Sequence, residues 1–298
     1  LSLFAQVDLK GELKLINNLD IDLGDSPEEI LINLENENFS KDNIFSSNKI
    51  ASDNEYQSRI RDINSSEPAR FNADKRRLYE ASGCAGKIAV FAVRLDTFEK
   101  EKIKKVFFLA TNNPDNFTKL REEILIHSAY LPDMAEYMHK SFFDASTKYC
   151  KDNFLIIKNF GTKFLPKLFS IKRRIDSYLS YLKLFKDPIS DNILQNLSKF
   201  LPNHLPKKIN NLSKKYEHFL ILVVSDQAIC DIKNILANDK KNNLDYEFFE
   251  CNNNEGELLL LHRYVAGGAP KRVKILEKEN VGNIMAFDVA LPRNCKNW

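Results

Sequence analysis

The residues with the clearest chemical potential are two glycines that flank two small residues, Gly83-Cys84-Ala85-Gly86. A charged stretch that predicts a short helix, 74–81, precedes them, and an alternating stretch that predicts a strand, 87–95, follows. Glycines at this spacing let the backbone approach a planar or phosphate-bearing ligand closely. The same spacing is equally typical of a tight turn from a helix into a strand. The pattern therefore predicts a turn and leaves a ligand contact open.

The histidines and cysteines form no recognisable metal-ligand or nucleophile motif. No two of the five histidines are spaced for ligation from one helix, and the five cysteines include no Cys-x-x-Cys pair. We therefore predict no metal site and no structural disulfide, as in a reducing compartment. Phosphate-loop, dinucleotide-binding and serine-nucleophile motifs are also missing from the sequence. Cys84 is predicted to fill space and not to act as a nucleophile.

A basic segment, 151–215, is the main charge feature of the chain. It carries 14 Lys or Arg residues and four Asp residues, so its net charge is +10, whereas the remainder of this +3 protein carries −7. Aromatic side chains alternate with the cations, which suits stacking against nucleic-acid bases. The same mixture suits a membrane surface, where apolar side chains sink in and cations meet anionic head groups. An ordinary solvated face is the third interpretation.

Within this segment, residues 171–186 have the period of an amphipathic helix. The apolar residues that share one face are Ile171, Ile175, Tyr178, Leu179, Leu182 and Phe185. The residues of the other face are Lys172, Arg173, Asp176, Ser180 and Lys183. The cations predicted to meet a membrane are Lys172, Arg173, Arg174, Lys183 and Lys186.

The elements that must position these residues predict an α+β fold. Residues 3–8 and 12–16 alternate around a Lys10-Gly11 turn and predict a hairpin. Ser26-Pro27-Glu28-Glu29 predicts a helix start with a capping box. Further strands are predicted at 106–110, 219–224, 246–250 and 284–290. With the helices predicted between them, they suggest an antiparallel sheet that has helices on one face.

The region from 134 to 215 is predicted to be helical throughout, and prolines divide it into short pieces. The sequence contains no run of about 18 apolar residues, so no transmembrane helix is predicted.

The glycine turn and the strand after it resemble a motif of flavoproteins with a vanillyl-alcohol-oxidase type FAD domain. There, a Gly-x-x-Gly turn enters a strand that reads apolar-Thr-x-Ala-x-x-Arg-Leu. Ile88 matches the apolar position and Arg94-Leu95 the final pair, whereas Ala89 replaces the threonine. The resemblance implies bound FAD. The residues implied to line it are Gly83, Gly86, Ile88, Ala89 and Val90.

Several segments, in order and at similar spacing, resemble the respiratory, quinone-dependent D-lactate dehydrogenases of bacteria. They are SLFAQVDLKGELKLINNLDIDLG, RDINSSEPARFNAD, EYMHK, LPNHLPKKINN and AFDVALPRN. The resemblance implies oxidation of D-lactate to pyruvate through FAD, with electrons passed to ubiquinone or menaquinone. It also implies peripheral attachment to anionic phospholipid head groups on the cytoplasmic face of the bacterial inner membrane, and no nucleic-acid partner. The alternative is a non-enzymatic basic adaptor that binds membranes or nucleic acid.

The resemblance also predicts domain limits. They are 1–96 for the second half of the FAD-binding domain, 97–138 for the first part of the antiparallel-sheet cap (substrate) domain, 139–215 for a basic helical membrane-binding module, and 216–298 for the rest of the cap. Residues 254–277 are left open between the cap and the membrane module. The family's pyrophosphate loop and its Glu-His motif are expected before Leu1 and after Trp298, so we expect the middle of a longer enzyme.

Three residues are implied to contact the substrate. A 2-hydroxy acid needs a cation for its carboxylate, and the planar fork of arginine binds both oxygens. Arg263 lies where related flavin-linked 2-hydroxy-acid dehydrogenases place a helix arginine near the substrate, and Arg293 follows a strand motif, 287–292, found across that wider family. A surface or structural ion pair suits each arginine equally well. His139 is a candidate only because it lies at the predicted boundary between cap and membrane module, and a structural role is the favoured interpretation of this histidine. Ala286 stands where those relatives carry a lysine, so that contact is not carried over.

Overall fold

The computed structural model of the 298-residue chain describes residues 1–45, 55–71, 74, 88–95, 97, 104–181, 189–241, 245–277 and 289–295. The chain forms two compact units, one of Leu1–Lys100 with Asp288–Trp298 and one of Glu101–Phe287. The glycine turn, all but one residue of the predicted helix at 74–81 and most of the predicted strand at 284–290 lie outside the described residues.

The first unit contains a three-stranded antiparallel sheet of order β2-β1-β3. Its strands are β1 (Ser2–Val7), β2 (Leu13–Asn17) and β3 (Ile88–Val93). The predicted hairpin is confirmed, since β1 and β2 pair from Leu3↔Asn17 onward. Gly11 in the connecting turn has a φ of +84°, which glycine adopts without the strain that a side chain would bring.

Two short helices, α1 (Pro27–Glu35) and α2 (Tyr56–Arg61), belong to the same unit. The predicted start of α1 is confirmed, because the Glu29 N–H donates to Ser26 Oγ at 3.2 Å. The Glu29 carboxylate accepts the Asp25 N–H at 3.2 Å, which differs from the predicted capping box by one residue. The core of the unit consists of Leu3, Leu19, Leu23 and Ile30.

The second unit is built on a four-stranded antiparallel sheet of order β5-β6-β4-β7. Its strands are β4 (Lys104–Thr111), β5 (Met134–His139), β6 (His218–Ser225) and β7 (Glu247–Glu250). The strands predicted at 106–110, 219–224 and 246–250 are therefore confirmed. The prediction of helix from Met134 onward is wrong for β5, where Met138 is buried and its neighbours Tyr137 and His139 are exposed. Pairing with β6 stabilises this alternation as a strand.

Helices cover both faces of this sheet. One face, with Phe107 and Leu109, packs against α3 (Asp115–His127) and α9 (Asp226–Lys241). The other face, with Phe108 and Ile221, packs against α4, α8 and α10, which span Lys140–Tyr149, Lys207–Lys215 and Asn253–Ala266. The predicted α+β class is confirmed, but the placement of helices on one face is wrong. The continuous apolar runs of β4 and β6 are typical of strands covered on both faces, a signal that the prediction of one covered face did not use.

The remaining helices of this unit are α5 (Lys151–Phe160), α6 (Leu165–Tyr181), α7 (Ile189–Ser198) and α11 (Ala269–Leu276). The pair α10 and α11 packs against α4, α5 and α7, with Phe154, Leu258 and Val265 in a shared cluster. Residues 254–277, left open by the sequence, therefore pack with the basic helices. Among the described helices, none is both long enough and apolar enough to cross a membrane.

A buried charge network joins three of these helices. Arg272 of α11 donates to both carboxylate oxygens of Asp152 on α5, with Nη2 2.9 Å from Oδ2, and to the Tyr149 carbonyl at 2.7 Å. Its Nε lies 3.4 Å from Asp191 of α7. The side chains of Arg272, Asp152 and Asp191 are each no more than 8% exposed. The network therefore fixes the order in which the basic helices pack.

Candidate functional site

Several large apolar side chains of α6 are exposed, which is unusual for a surface helix. Tyr178 is 65% exposed and Ile175 is 49% exposed, and Phe169 and Ile171 are exposed as well. The less exposed positions of the helix include Leu168, Lys172 and Asp176. The predicted helix is confirmed as far as Tyr181, and the described residues of its apolar stripe, Ile171, Ile175 and Tyr178, are exposed.

Polar contacts with α7 hold α6 in this orientation. Lys172 Nζ contacts the buried carboxylate of Asp191. Asp176 accepts the Ser190 hydroxyl at 2.6 Å and the Ser190 N–H at 3.1 Å. Because α7 supplies partners for Lys172 and Asp176, the other side of α6 faces outward, with its apolar side chains and the exposed Arg173 and Arg174.

Other helices of the same group also expose large apolar side chains. Together with the four on α6 they form what we call the apolar helix surface. The additional members are Tyr181, at the end of α6 itself, and, elsewhere in the helical part, Phe160, Phe164, Ile193, Leu197 and Phe200. Clusters of exposed apolar side chains in a soluble domain indicate a surface that meets a protein or a membrane.

The predicted membrane cations fall into three groups. Arg173 and Arg174 are exposed and, with Ser170, Ser177 and Tyr178, line a shallow open depression. Lys172 lies on the packed side and is paired with Asp191, so its charge is offset within the protein. Lys183 and Lys186 lie outside the described residues. Two further cations that were not singled out, Lys163 and Lys167, are exposed near the start of α6.

The residues implied to line FAD lie on an edge strand of the first unit. Ile88, Ala89 and Val90 pair with β1, and Val90 and the adjacent Phe91 are 45% and 53% exposed. Arg94, part of the motif, donates through Nη1 to the Leu19 carbonyl at 3.0 Å and so ties β3 to the core of the unit. Gly83 and Gly86 lie outside the described residues, and the FAD contact stays a prediction.

The two candidate substrate arginines have protein partners. Arg263 of α10 pairs through Nε with the Glu136 carboxylate on β5, and its side chain remains 41% exposed. Arg293 is buried in the first unit, where its guanidinium donates to the carbonyls of Glu67 and Arg59 and to the Ser65 hydroxyl. Arg293 therefore belongs to the first compact unit, although it was predicted in the last cap segment, 216–298. The domain limits and the substrate contacts stay predictions.

The third candidate, His139, caps α4 and meets residues that the sequence did not single out. Its Nδ1 accepts the Ser141 N–H at 3.2 Å. Its ring centroid lies 5.2 Å from that of His218, its partner across the β5–β6 pair. Burial, and next the charge of His139, lower the pKa of His218. Glu217 completes this cluster, which no local motif could reveal because its members are far apart in the chain.

A second histidine pair is buried between the helices. His204 Nε2 lies 3.2 Å from His262 Nδ1, and the ring nitrogens on the outer side of each have no partner among the described residues. Burial, with help from Lys151 and Lys158, lowers the pKa of His204 to about 4. Burial and the charge of His204 lower the pKa of His262 to about 3. The pair is therefore neutral at pH 7 and has no access to a ligand.

Comparison with curated proteins gives matches over the whole chain. It is 42% identical over 298 residues to the quinone-dependent D-lactate dehydrogenase of Escherichia coli (strain K12), covering 52% of that protein. It is 41% identical to the protein of the same name from Haemophilus influenzae, covering 53% of it. It is 34% identical to the protein of the same name from Corynebacterium glutamicum, and it covers 52% of that protein. The chain thus spans about half the length of the curated relatives that it matches.

A protein-family model also matches. Its description is D-lactate dehydrogenase, membrane binding, and the match runs over residues 106–298. This range includes the second sheet and every helix of the apolar helix surface. The resemblance found in the sequence is confirmed, and the chain belongs to the D-lactate dehydrogenase membrane-binding family.

Proposed function

We propose that the protein is a flavin-dependent enzyme that oxidises D-lactate to pyruvate and passes the electrons to membrane quinone. The observation that carries this proposal is the match of the whole chain, at 34–42% identity, to three relatives named quinone-dependent D-lactate dehydrogenase. The membrane-binding description of the family supports the enzyme and not the alternative, a non-enzymatic adaptor.

The cofactor of the proposal is FAD, held by a domain of the vanillyl-alcohol-oxidase type. The exposed apolar strip of β3, with Val90 and Phe91, fits a planar ring system better than it fits water. Gly83 and Gly86 would allow the backbone to approach the cofactor. When bound, FAD supplies the acceptor for the hydride at C2 of the substrate. The protein's part is to hold the substrate and to exclude water.

Substrate binding is proposed for Arg263, Arg293 and His139. Arg263 is the more accessible arginine, and its exposed guanidinium nitrogens offer a fork for a carboxylate while Nε stays with Glu136. Arg293 would have to exchange backbone carbonyl partners for substrate oxygens. A carboxylate would therefore bind Arg263 at lower cost than Arg293.

Attachment is proposed to the cytoplasmic face of the bacterial inner membrane, where the enzyme would meet ubiquinone or menaquinone. The apolar helix surface would sink into the interface, and Arg173, Arg174, Lys163 and Lys167 would meet anionic phospholipid head groups. Each such cation contributes about 1 kcal/mol near an anionic membrane. Nucleic acid is not a proposed partner.

The experiment uses the intact protein, purified in detergent. Bound flavin is read from its visible absorbance, and D-lactate oxidation is followed first with a soluble dye and then with quinone in anionic liposomes. We expect flavin-bound protein that oxidises D-lactate and not L-lactate. Protein that holds no flavin, oxidises neither enantiomer and is retained on liposomes or DNA would favour the adaptor instead.

A further inference from the structure

We propose that His139, Glu217 and His218 bind a divalent transition-metal ion, with zinc as the ion that suits them best. The three side chains come from the end of β5 and the start of β6. One ligand atom of each lies within 4.8 Å of the ligand atoms of the other two. His139 and Glu217 are exposed and His218 is half-buried, so an ion from solution can reach them.

The ligand set has the chemistry of a zinc site. Two imidazoles and one carboxylate are the three protein ligands of zinc centres that keep a fourth position open. At zinc–ligand distances of about 2.0–2.1 Å, the ligand atoms of a tetrahedral site lie about 3.3 Å apart, so each side chain must move about 1 Å inward. Rotation of exposed side chains accommodates a movement of this size.

Hydroxyl groups already orient both imidazoles. His218 Nδ1 lies 2.7 Å from the Tyr137 hydroxyl, and His139 Nδ1 lies 2.9 Å from Ser141 Oγ. Hydrogen bonds of this kind fix the tautomer of metal-bound histidines. With the ion on Nε2, each Nδ1 would carry a proton and donate it to its hydroxyl. His139 would exchange its weak bond from the Ser141 N–H for this one.

The backbone beneath the three side chains is fixed by contacts from two directions. The Lys140 N–H donates to the Glu217 carbonyl at 2.7 Å. The Glu217 N–H donates to the Asn112 side chain at 3.1 Å. His139 and His218 are direct partners in the strand pair. The two histidines therefore stand on paired strand backbone, and Glu217 is the residue directly before β6, held by these two backbone hydrogen bonds.

The position of the cluster indicates what the ion would do. The chain leaves the sheet at His139, runs through helices α4 to α8, and returns to the sheet at Glu217 and His218. An ion bound to all three residues would join both ends of this helical segment, which carries the apolar helix surface. We infer that the ion acts as a clasp at the base of the segment. In this proposal His139 holds the ion, and substrate binding rests on the two arginines.

Simple packing is the competing explanation, because Tyr137, His218 and His139 contact one another as rings. Packing does not need the Glu217 carboxylate, whereas metal ligation does. The variant Glu217→Gln therefore separates the two explanations, since it keeps the shape and removes the charged ligand.

The test measures metal binding by the full-length protein without a polyhistidine tag, after treatment with EDTA. Zinc affinity is measured by competition with a chromophoric chelator, and cobalt is used to read the geometry from its visible spectrum. We expect one ion per chain at this site and at least about 10-fold weaker binding in Glu217→Gln, His218→Phe and His139→Asn. Asparagine at 139 still caps α4, so that variant keeps the helix start.

Two variants serve as matched controls. His127→Ala removes a different exposed histidine, whose Nε2 lies 3.3 Å from Glu123, and Cys230→Ser removes an exposed thiol. Neither is expected to change the affinity for zinc.

Zinc is also expected to raise the melting temperature of the wild type and to slow amide exchange near Ser141 and Glu217. Neither effect is expected in Glu217→Gln. Equal affinity in wild type and Glu217→Gln, or loss of the ion with Cys230→Ser alone, would overturn the proposal.

Discussion

His262 and His204 couple the stability of the helical part to pH. Their pKa values in the folded protein, about 3 and about 4, lie below the ordinary 6.5, so the unfolded chain takes up protons first as the pH falls. Their contribution is therefore fully present above pH 6.5 and is lost as the pH falls through about 4 for His204 and about 3 for His262. The slope is at most about 1.4 kcal/mol per pH unit for each histidine. Urea unfolding at a series of pH values between 4.5 and 7.5 measures it.

The variant His262→Leu tests the assignment of this slope. We expect the free energy of unfolding to fall less steeply with acid in this variant. The slope should decrease by up to that of one bound proton between pH 6.5 and the folded pKa of His262. His127→Leu, on an exposed helix end, is the control and should leave the slope as in the wild type. An unchanged slope in His262→Leu would assign the acid sensitivity to other groups.

Loss of the Arg272 side chain should destabilise the packing of α11 against α5 and α7. Arg272→Met leaves the buried carboxylate of Asp152 without its bidentate partner, and removal of one member of a buried pair costs about 3–5 kcal/mol. The double variant Arg272→Met with Asp152→Leu should recover part of this loss. Chemical denaturation of the wild type, Arg272→Met and the double variant measures the loss and the recovery. If Arg272→Met is within about 0.5 kcal/mol of the wild type, the buried-pair argument is contradicted.

At the scale of the element, α6 separates the two components of membrane attachment. Ile175→Asp with Tyr178→Asp replaces exposed apolar side chains by charge, so we expect loss of the part of liposome binding that survives high salt. Arg173→Glu with Arg174→Glu should instead remove the part that salt screens. Sedimentation with anionic vesicles over a range of salt concentrations distinguishes the two variants. Identical salt curves for both would mean that α6 does not meet the membrane.

Lys172 provides the matched contrast within the same helix. Because it faces buried Asp191, Lys172→Glu should bring two carboxylates together and lower the stability of the fold. Arg173→Glu, one residue on, should weaken vesicle binding without a comparable loss of stability. Melting temperatures and sedimentation of both variants check this. If Lys172→Glu is as stable as wild type, the packed orientation of α6 is wrong.

The elements that the sequence predicted correctly are those with strong local signals. Ser26 and Pro27 mark the start of α1, and continuous apolar runs mark β4 and β6. The strand β5 was missed because its stability depends on pairing with β6, eighty residues later, and not on its own propensity. For the same reason the cluster of His139, Glu217 and His218 was not predicted, since strand pairing brings those residues together.

The orientation of α6 shows the same limit. Helical period indicated an apolar face and a charged face, but period does not say which one packs against the protein. The answer depends on Asp191 and Ser190 of α7, which supply partners for Lys172 and Asp176. The proposed membrane surface therefore excludes Lys172, which was predicted to belong to it, and includes apolar side chains of α7, which were not predicted.

For the whole molecule, the residues proposed for docking and those proposed for FAD belong to different compact units. The apolar helix surface lies in the unit of Glu101–Phe287, whereas β3 lies in the other. Arg263 and His139, proposed for the substrate, share the unit of the apolar helix surface but are not part of that surface. We therefore expect docking and oxidation to be separable in the intact protein. Reversal of Lys167, Arg173 and Arg174 to Glu should release it from anionic liposomes, lower quinone-linked turnover and leave dye-linked D-lactate oxidation nearly unchanged.

The control for this experiment carries the same change in charge elsewhere. Lys10, Lys41 and Lys119 are exposed and lie outside the apolar helix surface, so their reversal to Glu should leave liposome binding much closer to wild type. The attraction that remains acts over a screening length of about 8 Å at physiological salt, which makes the position of a cation matter as well as the total charge. If both triple variants lose binding equally, net charge and not a defined surface attaches the protein. If the first variant also loses dye-linked activity, the basic helices contribute to the catalytic site and the two functions are not separable.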